Sequence, residues 1–220
     1  MRGPLRITFL GILLFSLTSA FGTDLKDVLF QMEQREENIK TIQFDFRQEV
    51  RYVAMESVEK VEGKAVFQHP NKLRIQKEKP ESQLTISNGK KVWVYNPSFQ
   101  QVWVGQSRDW LSDSTLPKGM IPIQDYISQL KKNFHLTVRS PAEKKGKPNV
   151  LLLAHPKNVQ WGYHLEFSIS TETWLPFQTL YVSDSAKIVT HLFNQEVNPK
   201  VSTGTFRFKP PKGVDVIPLN

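Results

Sequence analysis

Short runs in which apolar and polar residues alternate recur along most of this 220-residue chain. In the first of them, Ile42, Phe44 and Phe46 occupy alternate positions and polar residues stand between them. A period of two is the repeat of a β-strand, whose successive side chains point to opposite faces of a sheet. Asn88-Gly89 is the strongest hairpin signal in the chain. The pattern predicts an antiparallel sheet of about ten to eleven strands joined by short turns.

Two stretches have the helical period instead. The first follows Asp24, whose carboxylate can cap a helix. Its apolar positions are Leu25, Val28, Leu29 and Met32. The second follows Pro122 with i, i+3, i+4, i+7 spacing, at Ile123, Tyr126, Ile127 and Leu130. Because an amphipathic helix needs an apolar surface to cover, we predict an α+β, mostly β fold: an unclosed antiparallel β-barrel with helices on its concave face.

The N-terminus has the layout of a secretory signal. Two arginines precede the uncharged run Ile7–Leu17, which is too short for a membrane-spanning helix of about 20 residues. Small residues follow, and cleavage near Ala20 or Gly22 fits this layout. We expect residues 1–22 to be a signal peptide and residues 23–220 to be a single exported domain. The alternative is a retained N-terminal anchor.

The absence of cysteine from the sequence removes several classes of protein. A disulfide framework, a thiolate metal site, a cysteine nucleophile and a lipidated N-terminal cysteine are all excluded. The five histidines have neither H-x-x-x-H nor H-x-H spacing, so the sequence predicts no metal site. Ser87-Asn88-Gly89-Lys90 matches the S-x-x-K pattern of serine acyl enzymes, but it lies in a predicted hairpin turn and is a chance match. We therefore predict neither an enzyme nor a cofactor.

Charge and aromatic content leave the function open. The formal net charge is +8, with lysines scattered along the chain, and an exported protein is separated from nucleic acid, so we expect no nucleic-acid partner. Aromatic residues make up 11% of the chain. They form either an ordinary core or, in part, the lining of a cavity for acyl chains. Each methylene group of an acyl chain that such a cavity buries contributes about 0.8 kcal/mol to the free energy of binding.

Four groups of residues, taken in order, resemble one family. They are Phe46-x-Gln48; His69-Pro70 with Leu73-Arg74; Leu84, Ser87-Asn88-Gly89-Lys90, Trp93-x-Tyr95-Asn96-Pro97 and Gln101; and Phe206-x-Phe208-x-Pro210-Pro211-x-Gly213-Val214-x-Val216. The sequence resembles the LolA family of periplasmic carriers of outer-membrane lipoproteins. The resemblance implies an unclosed barrel with an α-helical lid over an apolar cavity, and no cofactor.

The resemblance also implies partners and a route. Family members take acylated lipoproteins from an inner-membrane ABC transporter of LolCDE type, shield the acyl chains across the periplasm, and deliver them to an outer-membrane receptor of LolB type. On this basis we expect a monomeric chaperone and carrier. The alternatives are a periplasmic lipid-binding sensor or regulatory module of similar fold, in which an added C-terminal domain is usual, and an enzyme of envelope lipid metabolism.

The resemblance assigns roles to individual residues. The lipid-binding lining is expected at Phe44, Phe46, Phe67, Leu73, Ile75, Leu84, Ile86, Trp93 and Tyr95. Strand parity supports the first seven, whereas both faces are apolar around the last two. The lid is expected at Leu25, Val28, Leu29, Met32, Ile123, Tyr126 and Ile127. Where the family has an arginine that latches the lid, this chain has His69, whose neutral ring has one donor in place of five. We expect a weaker latch, with Arg74 as a partial substitute.

Overall fold

The computed structural model of the protein describes residues 24–55, 57–107, 126–140 and 148–219. The predicted signal peptide and Ile123 lie outside the described residues. The α-helices and strands in these ranges are α1 (Leu25–Glu37), β1 (Thr41–Tyr52), β2 (Val58–Gln68), β3 (Lys72–Lys79), β4 (Gln83–Asn88), β5 (Lys91–Asn96), β6 (Gln101–Gln106), α2 (Tyr126–Asn133), β7 (Phe134–Arg139), β8 (Asn149–Pro156), β9 (Tyr163–Ser170), β10 (Pro176–Ser183), β11 (Ala186–Val197) and β12 (Asp215–Pro218). One turn of 3₁₀ helix at Val159–Trp161 lies between β8 and β9.

The strands form one sheet in the order β12-β6-β5-β4-β3-β2-β1-β11-β10-β9-β8-β7. Every neighbouring pair among these twelve strands is antiparallel except β12 and β6, which are parallel. β7 and β12 are the two edges, so the sheet is unclosed. The predicted architecture, mostly β with an unclosed sheet and helices, is confirmed, with twelve strands rather than ten or eleven.

At the C-terminal end of the chain the fold differs from prediction, because the alternation pattern there predicts a strand at Thr205–Phe208. There the chain forms a turn and an irregular segment, and the last strand is β12 instead. The Phe208 ring packs against the rings of Trp93 and Tyr95, with centroids 6.3 and 5.8 Å away. Two prolines follow, and since proline has no N–H to donate, pairing with the sheet begins again only at β12.

Gly89 and Gly63 occupy positions that the structure explains, one in a turn and one at a close contact. Gly89 has φ +93°, and the Asn88 side chain accepts the N–H groups of Lys90 and Lys91, both at 2.9 Å, which confirms the predicted hairpin between β4 and β5. Gly63 in β2 lies opposite Phe46 in β1. A Cβ at Gly63 would be 2.7 Å from the Phe46 ring, so the missing side chain is what lets this ring lie across the strand.

Strand register divides the sheet into two faces. Residues directly opposite one another on neighbouring strands point to the same face. One such row contains Phe44, Ala65, Ile75 and Thr85 on β1 to β4. We call the face that carries this row the inner face, and the other the outer face. On the other side of β1, the row Gln48, Thr190, Thr179, Phe167 and Leu152 continues the inner face through β11, β10, β9 and β8.

Candidate binding site between the helices and the inner face of the sheet

One half of the inner face is covered by both helices. All the buried residues of α1 and α2 belong to one apolar cluster with residues of β7, β8 and β9. We call it the helix-covered cluster: Val28, Leu29, Met32, Ile127, Leu130, Phe134, Val150, Leu152, Ala154, Leu165, Phe167 and Ile169. Amphipathic helices docked in this way bury an apolar sheet surface that is otherwise exposed to water.

A second apolar cluster lies on the β1, β2, β3 and β11 half of the inner face. We call it the strand cluster: Ile42, Phe44, Phe46, Val61, Ala65, Phe67, Leu73, Ile75, Leu175 and Leu192. Its members come from strands and from the turn before β10, and none comes from α1 or α2. The rings of Phe44 and Phe67 stack with centroids 5.8 Å apart.

Buried polar residues separate the two clusters. Gln48, Thr190 and Thr179 stand in the inner-face row between Val61 of the strand cluster and Phe167 of the helix-covered cluster. All three are buried, and the Gln48 amide donates to the Thr190 hydroxyl over 2.9 Å. Because a buried amide is stable only when hydrogen-bonded, this pair fixes the polar boundary between the clusters.

The structure brings together five of the nine predicted lining residues. Phe44, Phe46, Phe67, Leu73 and Ile75 all belong to the strand cluster and are buried. Their role in binding acyl chains remains a prediction.

The other four predicted lining residues lie on the outer face. Ile86 is opposite Arg74 and Trp93, and Leu84 is opposite Gln76 and Tyr95. Alternation along one strand defines two faces but does not say which of them meets the helices, and the register across strands decides it. The segment around Phe208 packs against Trp93 and Tyr95 on this side.

Six of the seven predicted lid residues lie on the two described helices. Val28, Leu29, Met32 and Ile127 are buried in the helix-covered cluster, and Leu25 and Tyr126 pack against it. Ile123 is outside the described residues. The predicted lid therefore corresponds to α1 and α2, and its ability to move remains a prediction.

Polar contacts that the sequence did not reveal join the two helices. The Glu36 carboxylate of α1 accepts the backbone N–H groups of Tyr126 at 2.6 Å and Ile127 at 3.3 Å. An acidic group at the first turn of a helix satisfies unpaired N–H groups and opposes the helix dipole. Glu33 of α1 also accepts from Lys131 of α2 over 2.7 Å, in a pair open to solvent.

The connection from α1 to β1 is held by one asparagine from the other side of β1. The Asn198 side chain accepts the N–H groups of Lys40 at 2.8 Å and Thr41 at 3.2 Å, and donates to the Asn38 carbonyl at 2.9 Å. Asn198 has φ +57°, a left-handed conformation that asparagine tolerates better than most residues. The C-terminal end of α1 is thus attached to the sheet by hydrogen bonds, whereas the rest of the helix is held mainly by apolar packing.

The two predicted latch residues are placed differently from each other. His69 is exposed in the turn after β2, where its backbone N–H donates to the Lys40 carbonyl beside the base of α1. Arg74 lies on the outer face, and its guanidinium donates to the Gln76 side chain over 3.4 Å. The register therefore places Arg74 on the opposite side of the sheet from the helices.

Within the described ranges, no group of three or more histidine, aspartate and glutamate side chains has an arrangement that could hold a metal ion. The helices in those ranges are also too short or too polar to cross a bilayer. A cleft of about 450 Å³ lies where α1 and α2 meet at the surface, beside the exposed Phe30 and the Glu33–Lys131 pair. The site thus consists of apolar surfaces between helices and sheet, bordered by few polar groups.

An unclosed β-sheet whose inner face is apolar and partly covered by helices belongs to the class of folds that can enclose apolar groups. The family model described as outer membrane lipoprotein carrier protein LolA matches residues 37–209. The chain therefore belongs to the LolA family of outer-membrane lipoprotein carrier proteins, as its motifs suggested. Membership implies a lipoprotein cargo, a periplasmic location and a role in transport rather than catalysis.

The chain is also similar to individual proteins. The chain is 26% identical over 211 residues to an outer-membrane lipoprotein carrier protein of Coxiella burnetii, and the match covers 96% of each chain. In structure it is similar to an uncharacterized conserved protein from Thermus thermophilus, with a TM-score of 0.59 at 11% identity, over 88% of this chain and 98% of that one. It is also similar to MucB, with a TM-score of 0.52 at 15% identity, over 87% of this chain and 64% of that one. At these identities the two structural matches establish the fold alone.

Proposed function

We propose that the protein carries lipoproteins by enclosing their acyl chains between the two helices and the inner face of the sheet. The observation that supports this most directly is the helix-covered cluster, in which every buried residue of α1 and α2 packs on strands β7 to β9. The helices are not part of the hydrogen-bonded sheet, so they can move away without breaking a strand pairing.

Binding requires an open state, because in this structure both clusters are closed by the protein's own side chains. Opening moves α1 and α2 away from β7 to β9, and the connection held by Asn198 is the natural pivot. The acyl chains then replace the helix side chains as partners of the sheet. A fully buried 16-carbon chain contributes on the order of 12 kcal/mol. Because the exchange also exposes the apolar face of the helices, net binding is weaker and release remains possible.

The route and partners that we propose for the carrier are those that the family resemblance suggests. Residues 1–22 direct export and are removed, and residues 23–220 act as a monomeric carrier domain. The protein receives its cargo from an inner-membrane transporter of LolCDE type and delivers it to a receptor of LolB type. No cofactor takes part.

His69 is proposed as a weak latch at the base of α1. Its position beside Lys40 supports this, whereas the outer-face position of Arg74 gives that residue no direct contact with the helices. His69→Arg should strengthen the closed state and lower the affinity for a fluorescent acyl probe. Unchanged affinity and unchanged release of the probe would exclude the latch.

The carrier function is tested by incubating the purified protein with inner-membrane vesicles that contain a purified lipoprotein. A carrier yields a soluble, stoichiometric complex with the lipoprotein. If the lipoprotein stays in the membrane, the carrier proposal fails for that cargo and a sensor of similar fold becomes the better hypothesis.

A locked variant provides the matched control for this experiment. Since the natural chain has no cysteine, Glu33→Cys with Lys131→Cys introduces one pair of thiols across the α1–α2 contact. Joining them with a reversible cross-linker should prevent the helices from separating and abolish transfer. Cleaving the linker should restore transfer. Full transfer by the cross-linked protein would contradict opening between α1 and α2.

A further inference from the structure

Two buried polar atoms on the helices lack a hydrogen-bond partner. Among the described side chains, these are the Tyr126 hydroxyl and Arg35 Nε, and the described part of the sheet has no such atom. Arg35 belongs to α1 and Tyr126 to α2. Buried polar groups in folded proteins are nearly always hydrogen-bonded, and an unpaired one destabilises the state that buries it. These atoms therefore point to a partner that is absent from the closed protein.

Tyr126 is directed into the helix-covered cluster by contacts on two sides. Its ring packs edge-on against Phe167 of the inner face, with centroids 5.9 Å apart and planes at 83°. Its backbone N–H is held by the Glu36 carboxylate at 2.6 Å. The phenol therefore lies at the surface between helix and sheet that the proposed function assigns to acyl chains.

Both unpaired groups can donate a hydrogen bond, so an acceptor would satisfy either of them. Burial raises the pKa of Tyr126 well above 10, and the neighbouring Glu36 carboxylate acts in the same direction. The phenol therefore stays protonated, and its O–H group can donate a hydrogen bond. Arg35 Nε is also a donor. A hydrocarbon chain has no acceptor, whereas the ester carbonyl at the head of an acyl chain is an acceptor with no donor of its own.

We propose that the Tyr126 hydroxyl is the polar recognition point of the site and donates a hydrogen bond to the carbonyl that joins an acyl chain to the rest of the cargo. This inference rests on the proposed function and adds a specificity to it. The site distinguishes acyl chains from alkyl chains of equal length, because only the acyl group satisfies the buried donor. The apolar clusters by themselves would bind both equally.

The test compares a fluorescently labelled diacylglycerol with the dialkylglycerol ether of the same chain lengths, which lacks both carbonyls. The natural protein should bind the ester about five- to tenfold more tightly, the range expected for one buried hydrogen bond. Tyr126→Phe should remove this preference and leave the affinity for the ether within about twofold, since apolar packing is kept. Thermal stability of the ligand-free variant should not fall, because no hydrogen bond of the closed state is lost.

Tyr52→Phe, at the exposed end of β1, is the matched control and should keep the preference for the ester. The inference is overturned if the natural protein binds ester and ether equally, a result that does not depend on any variant folding. It is also overturned if folded Tyr126→Phe keeps the preference. If the natural protein binds neither probe, the acyl-carrier proposal itself fails, and the inference fails with it.

Discussion

The helix-covered cluster and the strand cluster occupy two halves of the same sheet face but differ in the described elements that form them. In the strand cluster, the described contacts join side chains of neighbouring strands, as when the Phe46 ring lies across Gly63. In the helix-covered cluster, two helices outside the hydrogen-bonded sheet provide the cover. The contacts between strands last as long as the sheet, whereas the contacts of the two helices lie outside the strand pairings.

This difference bears on how a carrier can work. A polar boundary of Gln48, Thr190 and Thr179 separates the two clusters, so loosening one need not loosen the other. The five predicted lining residues on the inner face all belong to the strand cluster, whereas α1 and α2, the predicted lid, belong to the helix-covered cluster. We infer that opening first exposes β7 to β9.

The largest effect is expected in the strand cluster. Phe46→Ala should lower the free energy of unfolding of the whole sheet by about 3–5 kcal/mol, because it removes a fully buried ring and leaves a cavity. Urea denaturation followed by circular dichroism measures this. Phe193→Ala is the control, because it removes a 40% exposed ring from the outer face of β11. It should lower the free energy of unfolding much less. Equal costs for the two variants would show that the strand cluster is not rigidly packed.

A slightly smaller and more local effect is expected on the other side of the boundary. Met32→Ala should weaken the docking of α1 by about 2–4 kcal/mol, since it removes a buried side chain from the helix face. Hydrogen exchange should show faster exchange in α1 and unchanged protection in β1 to β3. Phe30→Ala, at a 55% exposed position of the same helix, should change neither. If Met32→Ala speeds exchange throughout the sheet, the two clusters unfold as one unit.

Glu36→Gln tests the contact between the helices. The carboxylate accepts two N–H groups at the start of α2, and its replacement by a neutral amide should cost about 1 kcal/mol. The expected result is faster hydrogen exchange in α2. Glu37→Gln, at the exposed next position of α1, is the control. Equal exchange rates in the two variants would show that Glu36 does not hold α2 in place.

The smallest effect at neutral pH concerns Tyr126. Its pKa is raised in the folded state by burial, so the folded protein keeps a proton that the unfolded chain releases above about pH 10. The part of the folding free energy that is linked to this proton is complete below about pH 10 and is lost as the pH rises through the folded-state pKa. Alkaline titration should loosen α2 more in the natural protein than in Tyr126→Phe. Identical profiles for the two proteins would contradict this account of the phenol.

Much of the fold could be predicted because it depends on local patterns. The alternation at Ile42, Phe44 and Phe46 predicts β1, and the Asn88-Gly89 turn predicts the hairpin that follows β4. The helical spacing after Asp24 predicts α1, in which Val28 and Leu29 are buried as expected. Each of these signals lies within about ten residues and reflects the geometry of a single element.

Features that join distant parts of the chain could not be found in this way. Glu36 holds the N–H of a residue 90 positions away, and Asn198 fixes the base of α1 from 158 positions away. β12 pairs with β6 in parallel, although no local pattern at Asp215–Pro218 predicts a strand. Such contacts depend on which surfaces the completed sheet brings together.

By itself, the sequence determined the type of most elements, the mostly β unclosed fold and, through its ordered motifs, the LolA family. Only the tertiary structure decided which face of each strand meets the helices. Trp93 and Tyr95 are large aromatic residues like Phe44 and Phe46, yet they pack on the outer face. The physical reason is that alternation has two equivalent solutions on every strand, and the choice between them is made by the register with neighbouring strands.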